Sequence, residues 1–187
     1  MCSSKAFLCF KHHYSEEDRI SDLYDVLDSS MNDPINIFFL GTAIINTYVA
    51  LSQCNKCMIY LFRKSCDGTF LEPFAIGPDM DISFPDEHGK IDWLATFNRF
   101  LKVAINQKKP IISNDIDIVS TYHNRKKRTK IYNFAAIPLV HDEEPVGIVG
   151  FIRKDTNFSS RDFTQLPTLN EKLSNVMWRY RKNTSIN

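Results

Sequence analysis

A dense run of cations is the first group of residues whose types and spacing could do chemistry. It consists of Arg125, Lys126, Lys127, Arg128 and Lys130. Basic runs of this kind are typical of contacts to phosphates or nucleic acids. A solvated loop beside a binding site is the simpler interpretation, and contact with an anionic or nucleotide ligand is the alternative. Sequence-specific DNA binding is not expected, because no recognition helix follows the run.

Thiols form a second such group, with five cysteines in the chain. Cys54 and Cys57 have the spacing of a zinc knuckle, and Cys66 lies nearby. A structural zinc site usually needs four ligands, commonly from two knuckles. The second cysteine pair is missing, although His12 and His13 could in principle supply the further ligands. We therefore predict no metal site and expect reduced, half-buried thiols, with redox sensing as the alternative.

No arrangement typical of an enzyme accompanies these residues. The serines lack a Gly-x-Ser-x-Gly setting, and the six glycines form no phosphate-binding loop. Asp79, Asp81, Asp86 and Glu87 lack the fixed spacing of a calcium-binding loop. We predict that the protein is not an enzyme, and no cofactor is predicted.

Length and composition favour a single domain. The chain has 187 residues, of which 43% are hydrophobic, and its 23 basic and 22 acidic residues leave a net charge of +1. This balance gives no global attraction to nucleic acid or to an anionic membrane. The apolar run at 6–10 is too short for a signal peptide, and the segment 35–51 is too short and too polar to span a bilayer. We expect a cytoplasmic protein without membrane association.

Helices and strands that would position these residues can be predicted from hydrophobic periodicity and capping signals. The helices are predicted at 15–28, 34–53, 92–107 and 158–180. The strands are predicted at 58–62, 69–76, 111–113, 133–141 and 146–152. Two polar stretches, 77–90 and 116–132, are predicted to be irregular. Pro73 indicates an edge strand or a bulge, and Pro167 indicates a bend or restart of the last helix. This order predicts one α+β domain with a central, mainly antiparallel sheet.

Several segments resemble the GAF domain family. An apolar strand at 134–140 closes on Pro-Leu-Val, and the strand at 145–150 reads Pro-Val-Gly-Ile-Val-Gly. The terminal helix opens at 158–162 with Phe-Ser-Ser-Arg-Asp. The segment 109–115 is similar to the one that follows the cross-helix in that family. The resemblance covers 18–181 and is most specific in the last third.

The resemblance implies an architecture and a domain organisation. A GAF-like fold has a mainly antiparallel central sheet with the N- and C-terminal helices on one face. The cross-helix and the irregular stretches then cover a pocket on the other face. We expect an N-terminal extension at 1–14, a single GAF-like domain at 15–182 and a tail at 183–187.

The resemblance also implies a function. We expect a non-catalytic sensory or regulatory module that binds a small molecule or a protein partner and acts through another chain. A protein-interaction module with a filled, vestigial pocket is the alternative. Family members that attach bilins or reduce free methionine sulfoxide use later cysteines, and none follows Cys66. The motif of the cyclic-nucleotide-binding members is also missing from this sequence.

The sequence also gives candidate residues for ligand binding and indicates which partners to expect. Aromatic residues at the expected pocket and polar residues at strand ends give the ligand-binding candidates Tyr60, Phe74, Trp93, Phe97, Asn114, Asp115 and Asn133. Core packing alone is the simpler interpretation of the aromatic ones. The apolar second helix predicts a homodimer through the first, second and last helices. A protein partner is also expected, whereas nucleic acid and membranes are not.

Overall fold

In the described part of the chain, five strands form a single sheet. The structure, a computed structural model, describes residues 15–29, 40–65, 68–77, 93–122 and 125–184. The strands are β1 (Lys56–Ser65), β2 (Gly68–Gly77), β3 (Ile111–Tyr122), β4 (Arg125–His141) and β5 (Glu144–Arg153). Their order is β2-β1-β5-β4-β3, and each neighbouring pair is antiparallel. β2 and β3 are therefore the edges, and β5 lies at the centre.

Helices cover both faces of this sheet. They are α1 (Glu16–Ser29), α2 (Gly41–Ser52), α3 (Trp93–Gln107) and α4 (Pro167–Thr184). α1, α2 and α4 pack against one face, named here the helical face. α3 packs against the opposite face, named here the α3 face. The predicted α+β fold, with terminal helices on one face and the cross-helix on the other, is confirmed. None of the helices in the described ranges is both long and apolar enough to cross a membrane.

The strand alternation explains why two core clusters form. Side chains of successive strand residues point to opposite faces. In β1, Ile59 and Leu61 belong to the cluster on the helical face, whereas Met58 and Tyr60 belong to the cluster on the α3 face. Residues 132–139 of β4 and 146–153 of β5 are buried on both faces of the sheet, as their nearly continuous apolar sequences require.

One glycine allows the sheet and α4 to approach closely. A Cβ at Gly147 would lie 2.7 Å from the Tyr60 carbonyl oxygen and 3.0 Å from Met177 Sδ of α4. No side chain fits at those distances without movement of the backbone. The close approach of β1 and α4 therefore explains the glycine in the Pro-Val-Gly strand.

Capping residues determine where two helical segments begin. Ser15 Oγ accepts a hydrogen bond from the Asp18 backbone at 3.1 Å, and Asp18 accepts one from the Ser15 backbone at 3.1 Å, as in a capping box. Ser159 and Asp162 form a second capping box, but it caps a 3-10 turn (Ser160–Phe163) instead of the last helix. α4 begins only at Pro167, which suits the first helical position. The prediction that Pro167 marks a restart is confirmed, and the predicted helix start at 158 is wrong.

The prediction of irregular structure at 116–132 is also wrong. β3 continues to Tyr122, and β4 already begins at Arg125, so the two strands form a long hairpin. The predicted strand end at 114–115 is instead a register shift between Ser113 and Ile116, with Asp115 at a φ of +58°. A bulge of this kind interrupts the hydrogen-bond ladder locally and lets the strand continue.

Two further predictions fall partly on residues that the structure does not describe. The second helix was expected from residue 34, and α2 is described from Gly41 onward. The expected loop at 77–90 lies, apart from Gly77, outside the described residues. Pro73 does lie in an edge strand, and the pairing of β1 with β2 shifts register between Ile59 and Tyr60, beside Pro73.

Candidate functional site

The centre of the α3 face is closely packed. The rings of Phe97 in α3 and Phe134 in β4 are stacked, with 4.3 Å between centroids and 4° between planes. Gly150 of β5 leaves room for this packing, because a Cβ there would lie 3.2 Å from Met58 Cε and 3.4 Å from Phe134 Cε2. Leu101 lies in the same cluster and is fully buried. Core side chains therefore occupy the space beneath the middle of α3.

A groove of about 420 Å³ opens beside this packed centre. It lies between α3 and the hairpin of β1 and β2, and we name it the α3 groove. Its lining consists of Phe62, Thr69, Phe70, Leu71, Asn98, Lys102, Ile105 and Asn106.

The two walls of the α3 groove differ in chemistry. The strand wall is largely apolar, because Phe62 and Leu71, which are paired across the hairpin, both pack against the α3-face cluster. Phe70 is paired with Arg63, and the strand alternation puts its side chain on the other face of the sheet. The helix wall carries Asn98, Lys102 and Asn106 at intervals of four residues, which places them along one line of α3. Such a groove can accept a molecule with an apolar body and a polar end.

The four predicted aromatic ligand contacts do not lie together. Tyr60 and Phe97 are 1% and 0% exposed and belong to the α3-face cluster. Phe74 packs against the cluster on the helical face, on the other side of the sheet. Trp93 is the first residue of α3. Phe62, which lines the groove, was missed because nothing in the local sequence separates it from other strand aromatics.

The three predicted polar candidates lie at the bulge of β3 and in β4, level with the end of β5, and two of them hold the segment that follows β5. Asn114 donates to the Phe158 carbonyl at 3.1 Å and accepts from the Phe158 backbone N–H at 2.9 Å. Asn133 accepts from the Asp115 backbone N–H at 3.0 Å and donates to the Thr156 carbonyl at 3.0 Å. These amides tie β3 and β4 to the segment after β5, and their role as ligand contacts stays a prediction.

Sequence reasoning missed a buried arginine at the end of β5. The Arg153 side chain is 8% exposed and donates to Asp162 Oδ1 at 2.9 Å and to the Asn157 carbonyl at 3.1 Å. It also donates to the Ser52 carbonyl at the end of α2, and its guanidinium lies 4.2 Å from the centroid of the Phe158 ring. The sequence signal for this cluster was weak, because Arg153 is one of two consecutive cations, with Lys154, directly after an apolar strand.

The acid of this cluster is held in its charged form. Burial alone would raise the pKa of Asp162, but hydrogen bonds from Ser159 and Arg153, together with the arginine charge, outweigh burial and lower it. The cluster therefore joins α2, β5 and the 3-10 turn by a charged pair that is largely shielded from water.

A second, more polar cleft lies on the helical side. It measures about 780 Å³ and lies between the start of α1, the end of α2 and the 3-10 turn. The lining residues are Ser15, Glu17, Ile20, Ala50, Leu51, Ser52, Gln53, Arg161, Asp162, Thr164 and Gln165. No aromatic wall is present among these residues, so the α3 groove is the stronger candidate for a small molecule.

The predicted anion contacts lie in a different setting from the one expected. Arg125, Lys126, Lys127, Arg128 and Lys130 belong to the first part of β4 instead of a loop. The backbone of this part of β4 pairs with the second half of β3, with Arg125 opposite Tyr122 and Lys130 opposite Ile118. The contact with an anion stays a prediction.

The two described cysteines are core residues. Cys54 is 5% exposed and Cys57 is 0% exposed. Burial raises the pKa of the Cys54 thiol to about 11, and burial likewise raises the pKa of Cys57. Thiols held in the neutral form are poor nucleophiles and poor metal ligands. Among the described residues, no group of three potential metal ligands occurs. Cys66 lies outside them.

A comparison with models of protein families gives a match over the second half of the chain. A model described as GAF domain matches residues 77–177, which is more than half of the chain. This range contains α3, the last three strands and most of α4. No curated protein sequence matches the chain.

Solved structures of low sequence identity share the fold. The GAF domain from a phosphoenolpyruvate-protein phosphotransferase (ptsP) from Coxiella burnetii is 12% identical, with a TM-score of 0.57; the match covers 92% of this chain and 100% of that one. The GAF domain from the Acinetobacter phosphoenolpyruvate-protein phosphotransferase is 15% identical, with a TM-score of 0.55 and coverages of 93% and 98%. The N-acylhomoserine lactone dependent LuxR family factor CepR2 from Burkholderia cenocepacia is 13% identical, with a TM-score of 0.51 and coverages of 92% and 99%.

Proposed function

Because this chain belongs to the GAF domain family, we propose that it is a sensory or regulatory module that binds a small molecule and has no catalytic activity of its own. Domains of this family are commonly regulatory modules that bind small molecules. The observation that carries the proposal is the α3 groove, which offers an apolar wall and a polar wall on the face covered by the cross-helix. CepR2 is named as dependent on a small molecule, which supports the same class of function.

Ligand binding can be tested on the intact protein. Native mass spectrometry of protein purified from cells would reveal a retained ligand as added mass, and a metabolite library would be screened by thermal unfolding. A ligand at 100 times its Kd stabilises the folded state by about 2.7 kcal/mol, which raises the Tm measurably. A ligand that raises the Tm is then tested on two variants.

The two variants locate the site. Leu71→Ala removes a partly buried side chain from the strand wall, and Ile76→Ala, on the same strand, 45% exposed and outside the groove lining, is the matched control. We expect Leu71→Ala to lose the stabilisation and Ile76→Ala to keep it. The absence of any retained or stabilising ligand, or an equal response of both variants, would contradict the proposal.

A specific observation favours a second candidate function. Tyr60, Phe97 and Phe134 fill the middle of the α3 face, as a protein-interaction module with a vestigial pocket would require. In that case the α3 groove binds no small molecule, and the native mass spectrum contains the bare chain only. The same experiment therefore distinguishes the two functions.

We also propose that the module acts in the cytoplasm through a partner protein, and that it forms a homodimer through α1, α2 and α4. The buried residues of α2 include Ile44, Ile45 and Tyr48, which are used in packing within the chain. Its exposed positions are Thr42, Asn46 and Ala50. An interface of small and polar residues implies weak association. We expect light scattering to report a mass that rises towards twice 21.7 kDa with concentration, and a strict monomer would refute the dimer.

A further inference from the structure

We propose that the α3 groove takes an anionic, amphipathic molecule: a carboxylate with a compact aromatic or alkyl body. This inference rests on the small-molecule function proposed above and adds the chemical class of the ligand. It follows from three features of the groove: its charge, its apolar wall and its size.

The described lining of the groove carries one positive charge and no negative one. Lys102 lines it, and no acidic side chain occurs among its described lining residues. The sequence from residue 93 to 109 contains Arg99, Lys102, Lys108 and Lys109 but no Asp or Glu. Of these four cations, Lys108 has an acidic partner in the described structure, Glu143 at 3.5 Å. A ligand with a negative end is therefore attracted to α3, whereas a cationic one is repelled.

Two amides extend this polar wall. Asn98 and Asn106 lie four residues before and after Lys102, so each is about 6 Å from it along the helix axis. Both amides carry N–H donors. A carboxylate held by the lysine ammonium can accept a further hydrogen bond from a neighbouring amide, which fixes its orientation.

The opposite wall requires the ligand to be apolar elsewhere. Phe62 and Leu71 are partly buried, pack against the α3-face cluster and form the apolar surface of this wall. Covering this surface removes apolar area from water and is favourable by about 25 cal/mol per Å². A small hydrophilic anion such as phosphate would leave this wall exposed. The volume of about 420 Å³ lies at the lower end of the range for small-molecule pockets.

The test uses pairs of compounds that differ only in charge. The probes are 2-naphthoate with 2-naphthamide, 4-phenylbutyrate with its primary amide, and octanoate with its primary amide. Binding to the full chain is measured by ligand-observed NMR, and Kd values come from titration. The variants are Lys102→Gln in the groove and Lys109→Gln as the control, an exposed cation outside the lining.

We expect at least one carboxylate to bind about 10-fold more tightly than its amide, since one hydrogen bond to a charged group changes a binding constant by about this factor. Lys102→Gln should abolish the difference, and Lys109→Gln should retain it. Equal binding of carboxylate and amide, or equal effects of the two variants, would overturn the ligand class while the small-molecule function stands. Binding of no member of the three pairs would also overturn it, and native mass spectrometry then decides the proposed function independently.

Discussion

Replacement of Arg153 by Met tests whether the buried charged cluster holds the helical face to the sheet. Methionine keeps much of the length of the side chain and removes its charge and its donors. The substitution leaves the Asp162 carboxylate without its cation at 2.9 Å and the carbonyl of Asn157 without the donor at 3.1 Å. The carbonyl of Ser52, a buried residue, also loses its donor.

The expected cost is large because the partners remain in place. Removing one member of a buried ion pair costs about 3–5 kcal/mol, since the other charge is left without compensation. Asp162 is 21% exposed and keeps its hydrogen bonds from Ser159, so the lower end of that range applies. The lost contact with the Phe158 ring adds about 0.5–1 kcal/mol. We expect Arg153→Met to lower the free energy of unfolding by about 3–4 kcal/mol.

Urea unfolding followed by circular dichroism measures this change. The matched control is Arg161→Met, an exposed arginine on the adjacent 3-10 turn, for which we expect a change of at most about 0.5 kcal/mol. A double-mutant cycle of Arg153→Met with Asp162→Asn should give a coupling energy of about 1–3 kcal/mol. A cost for Arg153→Met below about 1 kcal/mol, or a coupling near zero, would refute the role assigned to this pair.

The pair of Arg153 and Asp162 also implies that the free energy of unfolding depends on pH. The pKa of Asp162 is lower in the folded protein than in the unfolded chain, where it is about 4. Its contribution to stability is therefore complete above pH 4 and is lost as the pH falls through the lower, folded pKa. We expect the stability advantage of the natural protein over Asp162→Asn to shrink as the pH falls below about 4. An advantage that stays constant to pH 2 would contradict the assignment.

Three further predictions concern the packing, the thiols and the basic strand. Gly147→Ala should destabilise the protein by about 1–3 kcal/mol in urea unfolding, because the new Cβ would lie 2.7 Å from the Tyr60 carbonyl oxygen; an unchanged midpoint would contradict this. Cys54 and Cys57 should react with a thiol reagent at pH 8 only as fast as the protein unfolds, since both are buried and the pKa of each is raised; labelling at the rate of free cysteine would refute it. The cations at 125–130 should bind a single-stranded oligonucleotide weakly and only at low salt, and the absence of any salt-sensitive binding would refute their contact with anions.

Much of the fold could be predicted from local sequence. The cap at Ser15, the strand pair around the acidic turn at 142–143 and the restart at Pro167 all depend on residues close to one another in the chain. Interactions over a few residues determine such features, so periodicity and capping patterns indicate them directly. The family resemblance in the last third rested on the same short segments.

Other features depend on contacts between distant parts of the chain. The polar stretch at 116–132 resembles a loop locally, and it becomes strand because β3 and β4 satisfy one another's backbone hydrogen bonds. Cross-strand partners and the bulge at Asp115 are not visible in a pattern of apolar residues.

The sequence by itself determined the order of the elements, the α+β class and the family. Tertiary structure alone decided which side chains meet. Arg153 contacts Ser52, which lies 101 residues away in the chain, and the α3 groove joins Leu71 to Lys102. Burial, charge pairing and the shape of a groove arise from such distant neighbours, because they depend on which surfaces exclude water together.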